Sequence, residues 1–194
     1  FSGHGGHWAG MGRSLLEAEP AFARAVDAWD RALRPYVPFR LRDLLESAEG
    51  GAALDRIDVL QPALTGLAIA LARQWESWGV RASAVVGHSS GEIAAAHVAG
   101  CISLDDAARM ACARGAVVRE LAPPGAMALV ARPARDVEDE LARGDGRITV
   151  AGANSPAMTV VSGDTDAVEE WVAQQGERGV FARRLRVEFA SHGP

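Results

Sequence analysis

Gly87-His88-Ser89-Ser90-Gly91 is a G-x-S-x-G sequence between an apolar run at 82–86 and an Ala-rich helical pattern at 92–99. The run contains β-branched residues and is short, so it predicts a buried strand. A strand, a tight turn and a helix in this order predict an exposed serine at the turn. The glycines lack Cβ atoms, which lets the strand and the helix approach closely. A Gly/Ser turn without a function is the alternative, and the flanking strand and helix favour a nucleophile.

Ser89 would lie at a helix N-terminus, where backbone N–H groups and the helix dipole favour developing negative charge. The N–H of Ser90 is a natural donor to an oxyanion. A serine nucleophile also needs a base. The histidines are His4, His7, His88, His97 and His192. We favour His192, which follows a predicted strand, although the residues alone leave this choice open.

The rest of the chain shows two different patterns of secondary structure, mainly helical before Gly125 and mixed strand and helix after it. Helical patterns cover 13–34, 41–48 and 61–78 before the turn, and a helix from 103 to 121 follows, with Ser103 and Asp106 in a capping-box arrangement. After Gly125, strands are predicted at 127–131, 148–153, 158–162 and 180–187, and helices at 134–142 and 166–175. This order is β-α-β-β-α-β, the ferredoxin-like split unit.

We therefore predict an α/β fold with an inserted subdomain. Residues 1–125 are expected to form a large α/β-hydrolase-like domain with a parallel sheet and the nucleophile turn. Residues 126–187 are expected to form a ferredoxin-like α+β subdomain, and 188–194 to return to the large domain. The chain begins inside a Gly/His-rich motif and stops at Pro194, so we interpret it as a segment of a longer polypeptide.

Composition excludes several classes of protein. The 194 residues carry a net charge of −5, so no excess of Lys or Arg is available to neutralise nucleic-acid phosphates. Cys101 and Cys112 predict two reduced core thiols in a cytosolic protein, without metal-ligand partners at useful spacing. The apolar run at 63–72 is too short to span a membrane. We expect no metal and no membrane segment.

Several motifs in order resemble one family. Gly87-His88-Ser89-Ser90-Gly91-Glu92 resembles the GHSxGE motif of the malonyl-CoA:acyl carrier protein transacylase family, above all in acyltransferase domains of modular type I polyketide synthases. The other matching stretches are the GQG-type opening at 1–8, the segment 56–64, the stretches 153–156 and 160–163 of the inserted subdomain, and the YASH-like Phe189-Ala190-Ser191-His192.

The resemblance implies a role for each matching residue. Ser89 would be the nucleophile and His192 its base. The N–H groups of His4 and Ser90 would form the oxyanion hole. Arg114 would hold the free carboxylate of the acyl group, because a guanidinium offers paired donors and stays charged. Three further residues would belong to the substrate site: Gln61, His88 and Phe189.

The family also implies the reaction. An acyl group would pass from CoA to Ser89 and then to the phosphopantetheine thiol of an acyl carrier protein, with no bound cofactor and with neighbouring synthase domains as partners. The YASH-like sequence and the segment 56–61 favour methylmalonyl over malonyl, and a different branched extender or a starter acyl group stays open. This chain departs from the pattern at His4, where Gln is common, at Phe189, where Tyr is usual, and at Gly193.

Two alternatives remain at this stage. A serine hydrolase of the α/β-hydrolase class shares the turn, and Asp145 or Asp164 would be its acidic residue. A non-catalytic segment of a megasynthase is the second. The split β-α-β-β-α-β insert and Arg114 argue against the hydrolase. The presence of Ser89, Arg114 and His192 together argues against a non-catalytic segment.

Overall fold

A computed structural model describes residues 1–4, 7–47, 51–185, 187 and 189–193. The chain forms two compact units, Phe1–Glu120 and Leu121–Pro194. The described part of the first unit is built from helices: α1 (Arg13–Ala18), α2 (Pro20–Leu33), α3 (Leu41–Glu46), α4 (Gly51–Leu54), α5 (Ile57–Ser77), α6 (Gly91–Val98) and α7 (Leu104–Leu121). The second unit combines helices with a sheet, so the fold is mixed α/β.

The core of the first unit lies where α2 packs on α5. Phe22, Val26 and Trp29 of α2 are fully buried. The indole Nε1 of Trp29 donates a hydrogen bond to the carbonyl of Pro62 at 3.1 Å. Because Gly66 has no side chain, the indole lies directly against α5, and a Cβ atom at this position would be 2.3 Å from it.

The helical patterns are largely confirmed, with shifted ends. The pattern at 13–34 forms two helices, because Pro20 restricts Glu19 to an extended conformation and begins a new helix. The helix predicted from 61 begins at Ile57. Gly79 and Gly100 end α5 and α6 with φ of 83° and 78°, as expected of C-terminal glycines.

The capping box is also present. The backbone N–H of Asp106 donates to Ser103 Oγ at 3.0 Å, and that hydroxyl donates to Asp106 Oδ2 at 2.7 Å. The helix predicted at 41–48 is α3, and Ala48 lies outside the described residues.

The second unit contains β1 (Ala126–Val130), α8 (Ala134–Leu141), β2 (Ile148–Ser155), β3 (Met158–Gly163), α9 (Thr165–Glu177) and β4 (Ala182–Arg184). The element order agrees with the predicted one. All pairings are antiparallel and the strand order is β2-β3-β1-β4. Small and β-branched side chains of β1 and β3 pack with Val137, Val168 and Trp171 of the two helices. β4 is shorter than predicted; Arg186 and Glu188 lie outside the described residues.

The expectation of a buried strand at 82–86 is wrong. This segment is irregular, and the Val86 side chain is 78% exposed. A strand requires a continuous ladder of hydrogen-bonded partners, and among the described residues Phe1 is the one backbone partner of this segment. The amino group of Phe1 donates to Val86 O at 2.7 Å, and the His88 N–H donates to Phe1 O at 2.9 Å.

One cysteine also differs from expectation. Cys112 is buried, and burial raises the pKa of its thiol to about 11. Cys101 is exposed because it follows Gly100 in the turn between α6 and α7. Along the described chain, no helix is both long and apolar enough to cross a bilayer.

Candidate active site

Ser89 lies in a sharp turn directly before α6. Its φ is 53°, in the left-handed region that residues with a side chain rarely adopt. The N–H of Gly91 donates to His88 O and the N–H of Glu92 donates to Ser89 O, each at 3.0 Å. These bonds close the turn and lead into the helix, so Ser89 lies at a helix N-terminus as predicted.

The two glycines of the motif permit close backbone contact. A Cβ atom at Gly87 would be 2.3 Å from the Cα atom of Glu92. A Cβ atom at Gly91 would be 2.3 Å from the carbonyl oxygen of Phe1. Neither distance is possible for a real side chain, so both positions require glycine. The sequence-based explanation of the motif therefore agrees with its packing.

Ser90 is the N-cap residue of α6 and is 4% exposed. Within the described residues, no backbone carbonyl accepts a hydrogen bond from its N–H. A backbone donor in this position, next to Ser89 and at the positive end of a helix, is suited to a developing oxyanion.

The N-terminal segment passes beside the turn at Gly3, the residue before His4. A Cβ atom at Gly3 would be 3.0 Å from His88 O and 3.6 Å from Ser89 Cβ. Burial, with smaller contributions from the positive charge of Arg114 and from His7, lowers the pKa of His4 to about 4. The His4 imidazole is therefore neutral at pH 7.

Arg114 projects from α7 and is half-buried. Among the described residues, no hydrogen-bond partner is present for its buried Nη1 atom. Burial lowers the pKa of Arg114, and the carboxylate of Glu92 acts in the opposite direction. A guanidinium with an unused buried donor is ready to bind an anionic group.

Gln61 on α5 is 1% exposed, and neither its Oε1 nor its Nε2 atom has a partner in the described part of the chain. Buried amides are almost always hydrogen-bonded. An amide with both ends unused is a feature of a binding site rather than of an ordinary core.

Phe189 and His192 lie in the second unit. Phe189 forms an isolated antiparallel bridge with Pro124. His192 has a φ of 58°; it and Ser89 are the two described non-glycine residues with positive φ. Such backbone conformations concentrate at functional sites. His88 is exposed and its backbone is held by Phe1. The pairing of His192 with Ser89 stays a prediction.

Sequence reasoning gave His7 no role beyond that of one candidate base. Its Nδ1 atom is buried and without a partner among the described residues. The sequence feature that could have indicated a role for His7 is its position three residues after His4, across a Gly-Gly pair. The sequence indicates Glu92 only as the last residue of the motif, and its electrostatic effect on Arg114 is visible only in the fold.

Comparison with known proteins identifies the class. Residues 1–194 match the family model described as "Acyl transferase domain". The chain belongs to this acyltransferase domain family. The α/β-hydrolase alternative is therefore not supported.

The relatives narrow the class to polyketide synthases. The chain is 45% identical over 192 residues to polyketide synthase GfsB of Streptomyces halstedii, covering 99% of this chain and 3% of that protein. It is 42% identical to erythronolide synthase EryA2 of Saccharopolyspora erythraea, covering 100% and 5%. The chain thus spans a small part of each curated relative.

Solved structures give the same result. The acyltransferase domain from module 8 of the salinomycin polyketide synthase matches with a TM-score of 0.93 and 45% identity, covering 100% of this chain and 46% of that one. A loading acyltransferase from the avermectin modular polyketide synthase matches with a TM-score of 0.93 and 40% identity, covering 100% and 62%.

Proposed function

We propose that this chain moves an extender acyl group from CoA to Ser89 and then to the phosphopantetheine thiol of an acyl carrier protein during polyketide assembly. The observation that carries the proposal is the left-handed Ser89 in a closed turn before α6, in a chain of the acyltransferase family. We propose methylmalonyl as the preferred acyl group over malonyl.

In the first half-reaction, Ser89 Oγ attacks the thioester carbonyl carbon while His192 accepts the hydroxyl proton. The N–H groups of His4 and Ser90 stabilise the negative charge on the carbonyl oxygen. When the tetrahedral intermediate collapses, the C–S bond breaks and the CoA sulfur takes the proton from His192. The product is an acyl-serine ester, and no external cofactor is required.

The second half-reaction reverses these steps with a different thiol. The carrier protein's phosphopantetheine thiol gives its proton to His192 and attacks the ester carbonyl. Ser89 leaves and recovers its proton. Because water competes with the thiol, an acyl group held in a fixed position and shielded from solvent is an advantage.

Arg114 would bind the free carboxylate of the extender group through paired N–H donors. Its buried Nη1 atom, which has no hydrogen-bond partner among the described residues, supports this role. Both side-chain amide atoms of Gln61 are buried and also lack a partner in that part of the chain, which supports a second polar contact to the acyl chain. His88 and Phe189 are proposed as further substrate contacts on the basis of the family motifs alone.

The finer description of the fold is also a proposal. The strand order β2-β3-β1-β4 and the element order of the second unit support a ferredoxin-like subdomain. The α/β-hydrolase-like sheet of the large domain, and the boundaries after 125 and 187, are expected from the family resemblance.

The experiment is a competition on the complete protein that contains this chain. Equal concentrations of malonyl-CoA and methylmalonyl-CoA are supplied with an acyl carrier protein, and the acylated carrier is identified by mass spectrometry. We expect mainly methylmalonyl-carrier. Transfer of malonyl alone would contradict the proposed specificity, and release of free acid without any acylated carrier would contradict the transferase function.

A further inference from the structure

The side chains of His4 and His7 have no role in the mechanism above. His4 contributes only its backbone N–H to the oxyanion hole, and His7 contributes nothing. Yet His4 Nε2 and His7 Nδ1 are buried atoms without a hydrogen-bond partner among the described residues. Buried polar nitrogens are unfavourable without a partner, so both atoms indicate a missing polar ligand.

His4 lies near both Arg114 and His7, because each of these two groups interacts electrostatically with its imidazole. Arg114 Nη1 is a third buried atom without a hydrogen-bond partner among the described residues. The region adjoins the nucleophile turn, since a Cβ atom at Gly3 would be 3.6 Å from Ser89 Cβ.

The surrounding charges define which ligand fits. Arg114 is a cation, and Glu92 is the carboxylate that acts on it. His88 Nδ1 is near the same segment, 3.4 Å from a Cβ atom built at Gly3. An imidazole carries at least one N–H donor, whether it is neutral or charged. Two such rings and one guanidinium in the same region suit an acceptor-only group that carries a negative charge.

We propose that the imidazoles of His4 and His7 join Arg114 in binding the carboxylate of the acyl group, and that they determine the preference for carboxylated over uncarboxylated acyl groups. This inference rests on the proposed function. A carboxylate offers about four lone-pair sites. Arg114 occupies up to two of them, and the N–H groups at His4 Nε2 and His7 Nδ1 satisfy the others.

His97 is a natural comparison because its environment differs. Its Nε2 is 3.1 Å from an Arg73 nitrogen and its Nδ1 is 3.1 Å from the carbonyl of Ile102. Both ring nitrogens are therefore used inside the fold. A substitution at His97 controls for the general effect of removing a histidine.

The test uses methylmalonyl-CoA and propionyl-CoA, which differ by one carboxylate. Rates of acyl-serine formation are measured on the complete protein that contains this chain, for the His4→Phe, His4→Gln, His7→Phe, His7→Gln and His97→Gln variants. The phenylalanine removes the donor and keeps the ring volume. The glutamine keeps a side-chain N–H. All variants retain the backbone N–H at position 4, and circular dichroism verifies their folding.

We expect each phenylalanine variant to lower kcat/KM for methylmalonyl-CoA by roughly tenfold more than kcat/KM for propionyl-CoA, the scale of one hydrogen bond to a charged group. Each glutamine variant is expected to recover much of the loss, and His97→Gln to change neither rate. Equal losses for both CoA esters, or no loss for either, would overturn the inference. Absence of acyl-serine in the wild-type protein with either ester would instead refute the proposed function.

Discussion

At the scale of single residues, Ser89 combines an unusual backbone conformation with the proposed role of nucleophile. A residue with a side chain in the left-handed region is less stable than glycine there by about 1–2 kcal/mol. The turn maintains this conformation because hydrogen bonds from Gly91, Glu92 and His88 fix the backbone on both sides. The result is a hydroxyl presented at the start of α6.

This strain predicts a stability difference between two inactive variants. Ser89→Gly and Ser89→Ala both lack the hydroxyl, but only glycine adopts a φ of 53° without strain. We expect Ser89→Gly to have a free energy of unfolding about 1 kcal/mol higher than Ser89→Ala, measured by chemical denaturation. The matched pair at Ser90, whose φ is −59°, should show the opposite order. Equal stabilities of the two Ser89 variants would mean that the turn is not strained.

Glu140 shows how charge and burial combine at one residue. Burial raises the pKa of this carboxyl, but hydrogen bonds from Arg132, Trp171 and Gln175 outweigh that effect and lower the pKa to about 2. The folded-state pKa is thus below the ordinary value of 4.5. Glu140 therefore stabilises the second unit above pH 4.5, and this contribution is lost as the pH falls towards 2.

Glu140→Gln should remove this pH dependence. The difference in unfolding free energy between wild type and variant should shrink by about 3 kcal/mol between pH 5 and pH 2. Denaturant titrations at several pH values measure it. Glu138→Gln, which alters an exposed carboxylate on the same helix, is the control. A wild-type to Glu140→Gln difference that is constant with pH would contradict the account.

At the scale of elements, the contact of α2 with α5 depends on Gly66. An added Cβ atom would be 2.3 Å from Cδ1 and Nε1 of Trp29, which is fully buried. The indole cannot retreat easily because its Nε1 is bonded to Pro62 O. The close contact of the two helices therefore depends on a small residue, Gly66, facing a large one, Trp29.

Gly66→Ala is expected to lower the free energy of unfolding by about 1–3 kcal/mol, although alanine is the better helix former. Gly176→Ala is its control, because Gly176 lies in α9 with open space around it. That change should raise the free energy of unfolding by up to about 1 kcal/mol. A stabilising effect at both positions, measured by denaturant titration, would show that the indole moves aside without cost.

Element prediction succeeded where the signal is local. The capping residue Ser103 and the glycines at 79 and 100 act within a few residues, and the structure places them where the sequence predicts. The strand prediction for 82–86 was wrong because strand formation depends on partners distant in sequence. Pro20 was present in the sequence, but helical periodicity continued past it and concealed the break in the backbone.

At the scale of the whole molecule, the site residues divide into those that local pattern reveals and those that only family resemblance reveals. Ser89 follows from its turn, which has a sequence signature. Arg114, Gln61 and His192 have no local signature, since their proposed roles depend on tertiary structure. His7 was assigned no function, and its buried unpartnered nitrogen became visible only in the fold.

The most direct test of the account is intact-protein mass spectrometry of the complete protein that contains this chain, incubated with methylmalonyl-CoA beside a Ser89→Ala control. We predict a mass increase of one methylmalonyl group on the wild-type protein and none on the control. Peptide mapping should assign the group to Ser89. An adduct of the same size on Ser89→Ala, or no adduct on a folded wild-type protein, would contradict Ser89 as the acyl-accepting nucleophile.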